Sequence, residues 1–285
     1  MSQALVHDPL ADHEFLGSRQ VDERRWQIPV IPGLVVPHGG LYGGAGLAAV
    51  IAAMESVTGR PLRWVTCQFA STATVGETLE VEVSIDRQGK RISQAGAVAS
   101  VGDRVVVRAI AALGEARPEA PGGVWVEMPE VPGPDDCEPS VMPIETSGTA
   151  VERGERRLAF GPAWGEFLTD EPRPPGFRIC MWSRVRDHVS STPAMLGWLA
   201  DMVPMALAGA LGAPFGGTSL DNTLRMVESR EADWVLLDVH PTAATDGYGH
   251  GDAYLWTPDG TLLATGSQTA VLRQRFPESL STEQR

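Results

Sequence analysis

Two stretches of this chain have helical length and almost no charge. Residues 41–57 read LYGGAGLAAVIAAMESV, with one acid near the end, and residues 193–211 read PAMLGWLADMVPMALAGAL, with Asp201 as the one charge. A helix that is apolar all round cannot rest on a surface; it has to be enclosed. The residues after each stretch supply the enclosure. Strand-like runs follow the first at 64–70, 78–85, 93–100 and 104–113, and the second at 219–227, 234–240, 251–256 and 261–273. Leu79, Val81, Val83 and Ile85 alternate with Glu80, Glu82 and Ser84, the period-2 pattern of a strand with one wet face. Turn residues punctuate the runs at Gln88-Gly89, Gly102-Asp103 and Pro258-Asp259-Gly260. A further strand precedes each helix, near 25–30 and 178–185.

The chain thus repeats one order: strand, apolar helix, four strands. An offset of 156 residues aligns Trp26 with Trp182, Asp103 with Asp259, and Pro37 with Pro193 at the helix starts. Identity in that register is no better than chance, so the repeat rests on order and spacing. Between the halves, prolines at 118, 121, 129, 132, 134, 139 and 143 read as an extended linker. The expected division is a first half at 1–114, a linker at 115–154, a second half at 155–275, and a tail at 276–285 without apolar periodicity.

Charge narrows the function. The chain holds 23 basic and 36 acidic residues for a net charge of −13, and Lys90 is its one lysine. Nucleic-acid affinity rests on many cationic phosphate contacts, so no nucleic-acid partner is expected. Residues 195–217 are long enough to span a bilayer, but they contain Pro204 and Pro214, and an acid such as Asp201 near a helix centre costs about 3 kcal/mol to insert. A buried helix is expected instead, with no membrane partner. The first 14 residues carry acids and no apolar core, unlike a secretory leader. Cys67, Cys137 and Cys180 are an odd, scattered set, which suits a reducing compartment and no zinc site. A cytoplasmic protein is expected.

Asp201 is the most informative residue. Its neighbours Leu196, Trp198, Leu199, Met202 and Val203 are all apolar. Buried unpaired acids are costly, so an acid kept in a core helix has a partner or a task. Desolvation would raise its pKa and make it a better base toward water. Pro204 lies three residues on and cannot donate to the Ala200 carbonyl, so a kink is expected beside it. Ser219 and Gln268 join the site if the wrapped sheet brings them inward. At the 156 offset their first-half counterparts, with that of Asp201, are Ala45, Arg63 and Ala112. That contrast suggests one working half and one scaffold half.

Other patterns are weaker. Gly44-Ala45-Gly46-Leu47-Ala48-Ala49 fits a loose dinucleotide fingerprint, but lacks the downstream acid and is followed by strands alone. Gly217-Thr218-Ser219-Leu220-Asp221 fails the nucleophile elbow, with Asp221 where glycine belongs. Asp8 and His13 have a hydratase-like spacing without the glycine-rich loop. His38-Gly39-Gly40 is either an anion-binding backbone turn or a plain entry turn. His188, His240 and His250 have no metal-ligand spacing.

Together these residues resemble the acyl-CoA thioesterase II type, the double-hotdog thioesterases. The stretch Met195-Leu196-Gly197-Trp198-Leu199-Ala200-Asp201-Met202 is similar to that family's central helix with its catalytic aspartate. Thr218-Ser219-Leu220-Asp221-Asn222-Thr223 is similar to its next strand, and Gly266-Ser267-Gln268-Thr269-Ala270-Val271-Leu272-Arg273 to its last. In the first half, Tyr42-Gly43-Gly44-Ala45 has alanine where the family often has glutamine. The resemblance implies an α+β double hotdog, two antiparallel sheets each wrapping a long apolar helix. It implies an acyl-CoA substrate, a role in fatty acid metabolism, and no cofactor or metal. Asp201, Ser219 and Gln268 would then be catalytic, holding and activating the water that hydrolyses the thioester. The family usually has threonine at the position of Ser219; serine keeps the hydroxyl. Homodimerisation is compatible with this reading. Alternatives are a hotdog enoyl-CoA hydratase or dehydratase, which needs an Asp–His pair, and a non-catalytic acyl-CoA or lipid-binding protein.

Overall fold

Strands from both halves hydrogen-bond into one antiparallel sheet in the computed structural model, which describes residues 8–167, 169, 171–212 and 215–274. The first half runs α1 (Pro9–Leu16), β1 (Arg19–Asp22), β2 (Arg25–Pro29), α2 (Gly43–Thr58), β3 (Leu62–Phe69), β4 (Thr78–Gln88), β5 (Ile92–Val101) and β6 (Arg104–Gly114). The second runs β7 (Gly154–Phe160), β8 (Ile179–Val185), α3 (Pro193–Leu199), α4 (Val203–Leu211), β9 (Phe215–Ser219), β10 (Asp221–Met226), β11 (Val235–Thr245), β12 (Tyr248–Trp256) and β13 (Leu262–Gln274). Strand order is β1-β2-β4-β5-β6-β3 in one half and β10-β13-β12-β11-β8-β7 in the other, with β9 also on β13. The halves meet where β3 pairs with β10, and Thr66 and Thr223 bring their hydroxyls together across that seam. This is the expected α+β architecture of two helix-wrapping antiparallel sheets. Edge-to-edge pairing consumes the two strand edges that would otherwise invite association.

Enclosure explains the sequence of α2. Leu47, Ala48, Ala49 and Val50 are consecutive and so point to different sides of the helix, and all are buried. Leu47 and Ile51 lie against Gly197 of α3, so the two central helices pack on each other. Thr192 caps α3 by accepting from Met195 N at 3.2 Å, with Pro193 at its first position, as expected.

Four features depart from the sequence expectations. The second apolar helix is divided: α3 ends at Leu199 and α4 begins at Val203. The stretch Pro193–Leu211 is long and apolar enough to cross a membrane by length and composition, yet 67% of its most apolar window is buried inside the protein. The run at 219–227 is likewise divided, into β9 and β10. The sequence does not signal α1, β1 and β7, which are too short or too evenly exposed to show a clear period. Finally, the 156 offset fails for the tryptophans. Trp26 packs into the central core, whereas Trp182 joins a second cluster on the opposite sheet face. Side chains alternate with period 2, so an offset wrong by one residue reverses the face.

That second cluster explains the linker. Met128, Val131 and Cys137 pack on Trp182, Trp234, Leu236, Trp256 and Leu262, and Trp182 Nε1 donates to Pro132 O at 2.8 Å. The linker therefore covers the outer face of the second half. In the first half β4 leaves that face wet with Glu80 and Glu82. The tail at 276–285 lies outside the described residues.

Candidate active site

The break between α3 and α4 places Asp201. Pro204 has no N–H for the Ala200 carbonyl, and Met202 N donates to Ala200 O at 2.9 Å, closing a turn instead of continuing the helix. Asp201 sits in that turn, turned toward the start of α2. The proline signalled the disturbance; the full division is larger than a kink.

Ser219 is positioned by a β-bulge. Ser219 pairs with Ala270 and Thr223 with Ser267, so four steps on one strand match three on β13. The extra residue changes the parity of the strand. Thr223 faces the same side as Ser267, whereas Ser219 faces the side of Gln268 and Ala270, toward the core. Asp221 stabilises the bulge by accepting from Thr269 N at 2.7 Å, while Leu220 N donates to Thr269 O at 2.8 Å. Ser219 thus closes β9 rather than opening the following strand.

The three expected residues meet. Ser219 Oγ donates to Asp201 Oδ1 at 3.1 Å, and Gln268 Nε2 donates both to Asp201 Oδ1 and, at 2.7 Å, to Ser219 Oγ. The remaining oxygen, Asp201 Oδ2, accepts from Gly44 N at 3.0 Å. Gln268 is 3% exposed, and its Oε1 has no hydrogen-bond partner among the described residues. Burial pushes the Asp201 carboxyl above the usual carboxylate range; the bonds from Gln268, Ser219 and Gly44 pull the other way without cancelling it. Burial also pushes the Tyr42 hydroxyl and the Cys67 thiol far up, so both stay neutral beside it.

Gly44 is the contribution that sequence reasoning missed, and it corrects the division into a working and a scaffold half. Among the described residues the first half supplies no side-chain hydrogen bond to Asp201, but it supplies the N-terminus of α2. A Cβ on Gly43 would come within 2.5 Å of Asp201 Oδ2, and one on Gly44 would collide with Trp198 O and the Tyr42 ring. Two adjacent glycines in the first turn of a buried helix were the available signal of that close approach.

The other candidates have structural duties. Asp8 caps α1 by accepting from Leu10 N at 2.9 Å. The His13 ring stacks on Trp26, its nitrogens each 3.0 Å from Ser18 Oγ and Ser56 Oγ, and burial pushes its pKa down to about 4. The stretch around His38 forms a turn, with Val36 N bonded to Gly40 O and Gly39 N to Val36 O, each at 2.8 Å. His188 Nε2 lies 3.2 Å from Asp12 Oδ1, and His240 Nε2 2.9 Å from Asp238 Oδ1, both away from Asp201. Clefts of about 490, 470 and 320 Å³ lie beside α1, and Asp201 lines none of them. They are surface features of the α1 packing; the Asp201 cluster lies at the junction of the halves.

Comparison with known proteins agrees with this fold. Residues 32–114 match the acyl-CoA thioesterase N-terminal domain, and residues 134–272 match the acyl-CoA thioesterase C-terminal domain. A protein described as a thioesterase from Novosphingobium aromaticivorans superimposes with a TM-score of 0.80 at 32% identity, over 90% of this chain and 98% of its own. A hot dog fold protein from Alicyclobacillus acidocaldarius gives 0.80 at 21% identity, over 95% and 100%. The acyl-CoA thioesterase II TesB2 of Mycobacterium marinum gives 0.71 at 18%, over 93% and 99%. The last two share the fold. No curated protein matches the chain.

Proposed function

This chain belongs to the acyl-CoA thioesterase family, and on that premise we propose that it hydrolyses acyl-CoA thioesters by direct attack of a water molecule activated at Asp201. The observation that carries the proposal is the Asp201 carboxylate, raised in pKa and held by Ser219, Gln268 and Gly44 at the start of a buried helix. Asp201 accepts a proton from water as the oxygen bonds to the thioester carbon. Ser219 and Gln268 fix the carboxylate, and the buried Gln268 Oε1 offers an acceptor that orients the water. The positive end of the α2 dipole stabilises the negative charge that develops on the carbonyl oxygen. The C–S bond then breaks, the thiolate of coenzyme A leaves, and the proton held by Asp201 passes to it. A carboxylic acid and free thiol result.

No observation favours a hydratase, because among the described residues no histidine is a hydrogen-bond partner of Asp201. The test is thiol release across a panel of acyl-CoAs differing in length and polarity. Turnover with at least one member is expected. Saturable binding without thiol release from any of them would overturn the proposal in favour of a binding protein.

A further inference from the structure

The division between α3 and α4 leaves a carbonyl to be satisfied. In a continuous helix Trp198 O would accept from Met202 N, but that N–H bonds to Ala200 O. Trp198 O accepts instead from the Tyr42 hydroxyl at 2.7 Å, a donor from the other half of the chain. Tyr42 is the N-cap residue of α2, two positions before Gly44. The start of α2 thus grips the break twice: a hydroxyl holds the carbonyl three residues before Asp201, and an N–H holds the carboxylate itself. The Tyr42 ring meets Trp198 edge-on, centroids 5.2 Å apart, so packing aims the hydroxyl.

We propose that Tyr42 is a positioning residue for the hydrolysis: its hydroxyl replaces the missing helical donor at Trp198 and so sets where the Asp201 carboxylate lies against Gly44. The inference rests on the reading of Asp201 as the base. Without the hydroxyl, Trp198 O is a buried acceptor with no donor, and the turn at 200–202, which Pro204 keeps out of a regular helix, loses the bond that fixes its position. Asp201 then draws away from Gly44 N–H. Losing a bond to the charged form raises its pKa further and spoils its aim at water.

The surrounding groups make this measurable. Tyr42 faces Asp201 from the start of α2 and Cys67 does so from β3, while Arg156 of β7 faces the Tyr42 hydroxyl and Asp221 of β10 faces Cys67. Asp221 is engaged by Thr269 N, and both Tyr42 and Cys67 are held neutral by burial. The acid limb of the pH profile therefore reports Asp201. Tyr42→Phe keeps the ring and its packing. Its kcat should fall about tenfold with KM within about twofold of wild type. The acid limb of kcat should move up by about half a pH unit or more, and carbon-13 NMR of aspartate-labelled protein should show the Asp201 carboxyl titrating correspondingly higher. An unchanged acid limb and an unchanged Asp201 titration would overturn the proposal, even if the variant melts earlier. Should the wild type release no thiol from any acyl-CoA, the hydrolytic reading fails, and the NMR titration alone still decides whether Tyr42 positions the carboxylate.

Discussion

Gly44 donates its backbone N–H to Asp201 Oδ2 at 3.0 Å, a bond between residues 157 positions apart that joins the two halves at the candidate site. Gly44→Ala should therefore damage both folding and turnover. The new Cβ has backbone in its way at Trp198 O, so α2 and α3 must separate, at an overpacking cost of about 1–3 kcal/mol. Thermal melting together with kcat checks this. A variant that keeps wild-type kcat would show that the close approach is dispensable.

Asp201→Asn should lower kcat by about 10²–10⁴-fold, the usual cost of losing a general base. Its stability should move the other way. The folded pKa of Asp201 lies above its ordinary value of 3.8, so the native state binds more protons than the unfolded one through that window. Wild-type stability consequently falls as pH rises from 3.8 through the raised pKa, and the penalty is complete above it. The variant should melt at or above the wild type at pH 7, and the advantage should vanish below pH 3.8. A variant destabilised at neutral pH would mean that its amide loses more in hydrogen bonding than it gains in desolvation.

Asp221→Ala removes the acceptor that holds Thr269 N at the bulge. A hydrogen bond to a charged group contributes about 2 kcal/mol, and without it Ser219 loses the register that turns it inward. Turnover should drop well beyond what the melting temperature explains. Asp221→Asn keeps an acceptor oxygen and should recover most of the loss.

Ser219→Thr should be tolerated and Ser219→Ala impaired, since the hydroxyl is the group bonded to Asp201 and Gln268. Gln268→Ala should lower kcat more than it raises KM, because orienting water matters mainly in the transition state. Steady-state kinetics of the three variants separates these effects. An equal loss in Ser219→Thr and Ser219→Ala would point to space, not the hydroxyl, as the requirement.

The side chains of this site were legible because they contrast with their surroundings: an acid in an apolar helix, then a hydroxyl and an amide in flanking strands that resemble a known family. The contribution of Gly44 was not legible, because a main-chain N–H has no residue identity and α2 shows only its glycines. The bulge that turns Ser219 inward was equally hidden; a strand read at strict period 2 puts residue 219 on the face of Thr223. Pro204 announced a disturbance without its extent, which depends on Met202 N turning back to Ala200 and on Tyr42 arriving from elsewhere. The face of Trp182 depends on the linker above it, and proline content alone does not say what an extended segment covers.

The segment from Met128 to Cys137 also makes the internal duplication irreversible. With Trp182, Trp234 and Trp256 beneath it, the second half has a greasy exterior that its own upstream segment shields. A chain severed between 114 and 128 carries its shield along, but one severed just before β7 does not. The earlier cut should leave two fragments able to reassemble through β3 and β10, and the later one should leave a fragment that aggregates. Two copies of the second half expressed from β7 onward cannot stand in for the parent as a symmetric dimer, so the single long chain is the form in which this exterior is kept dry.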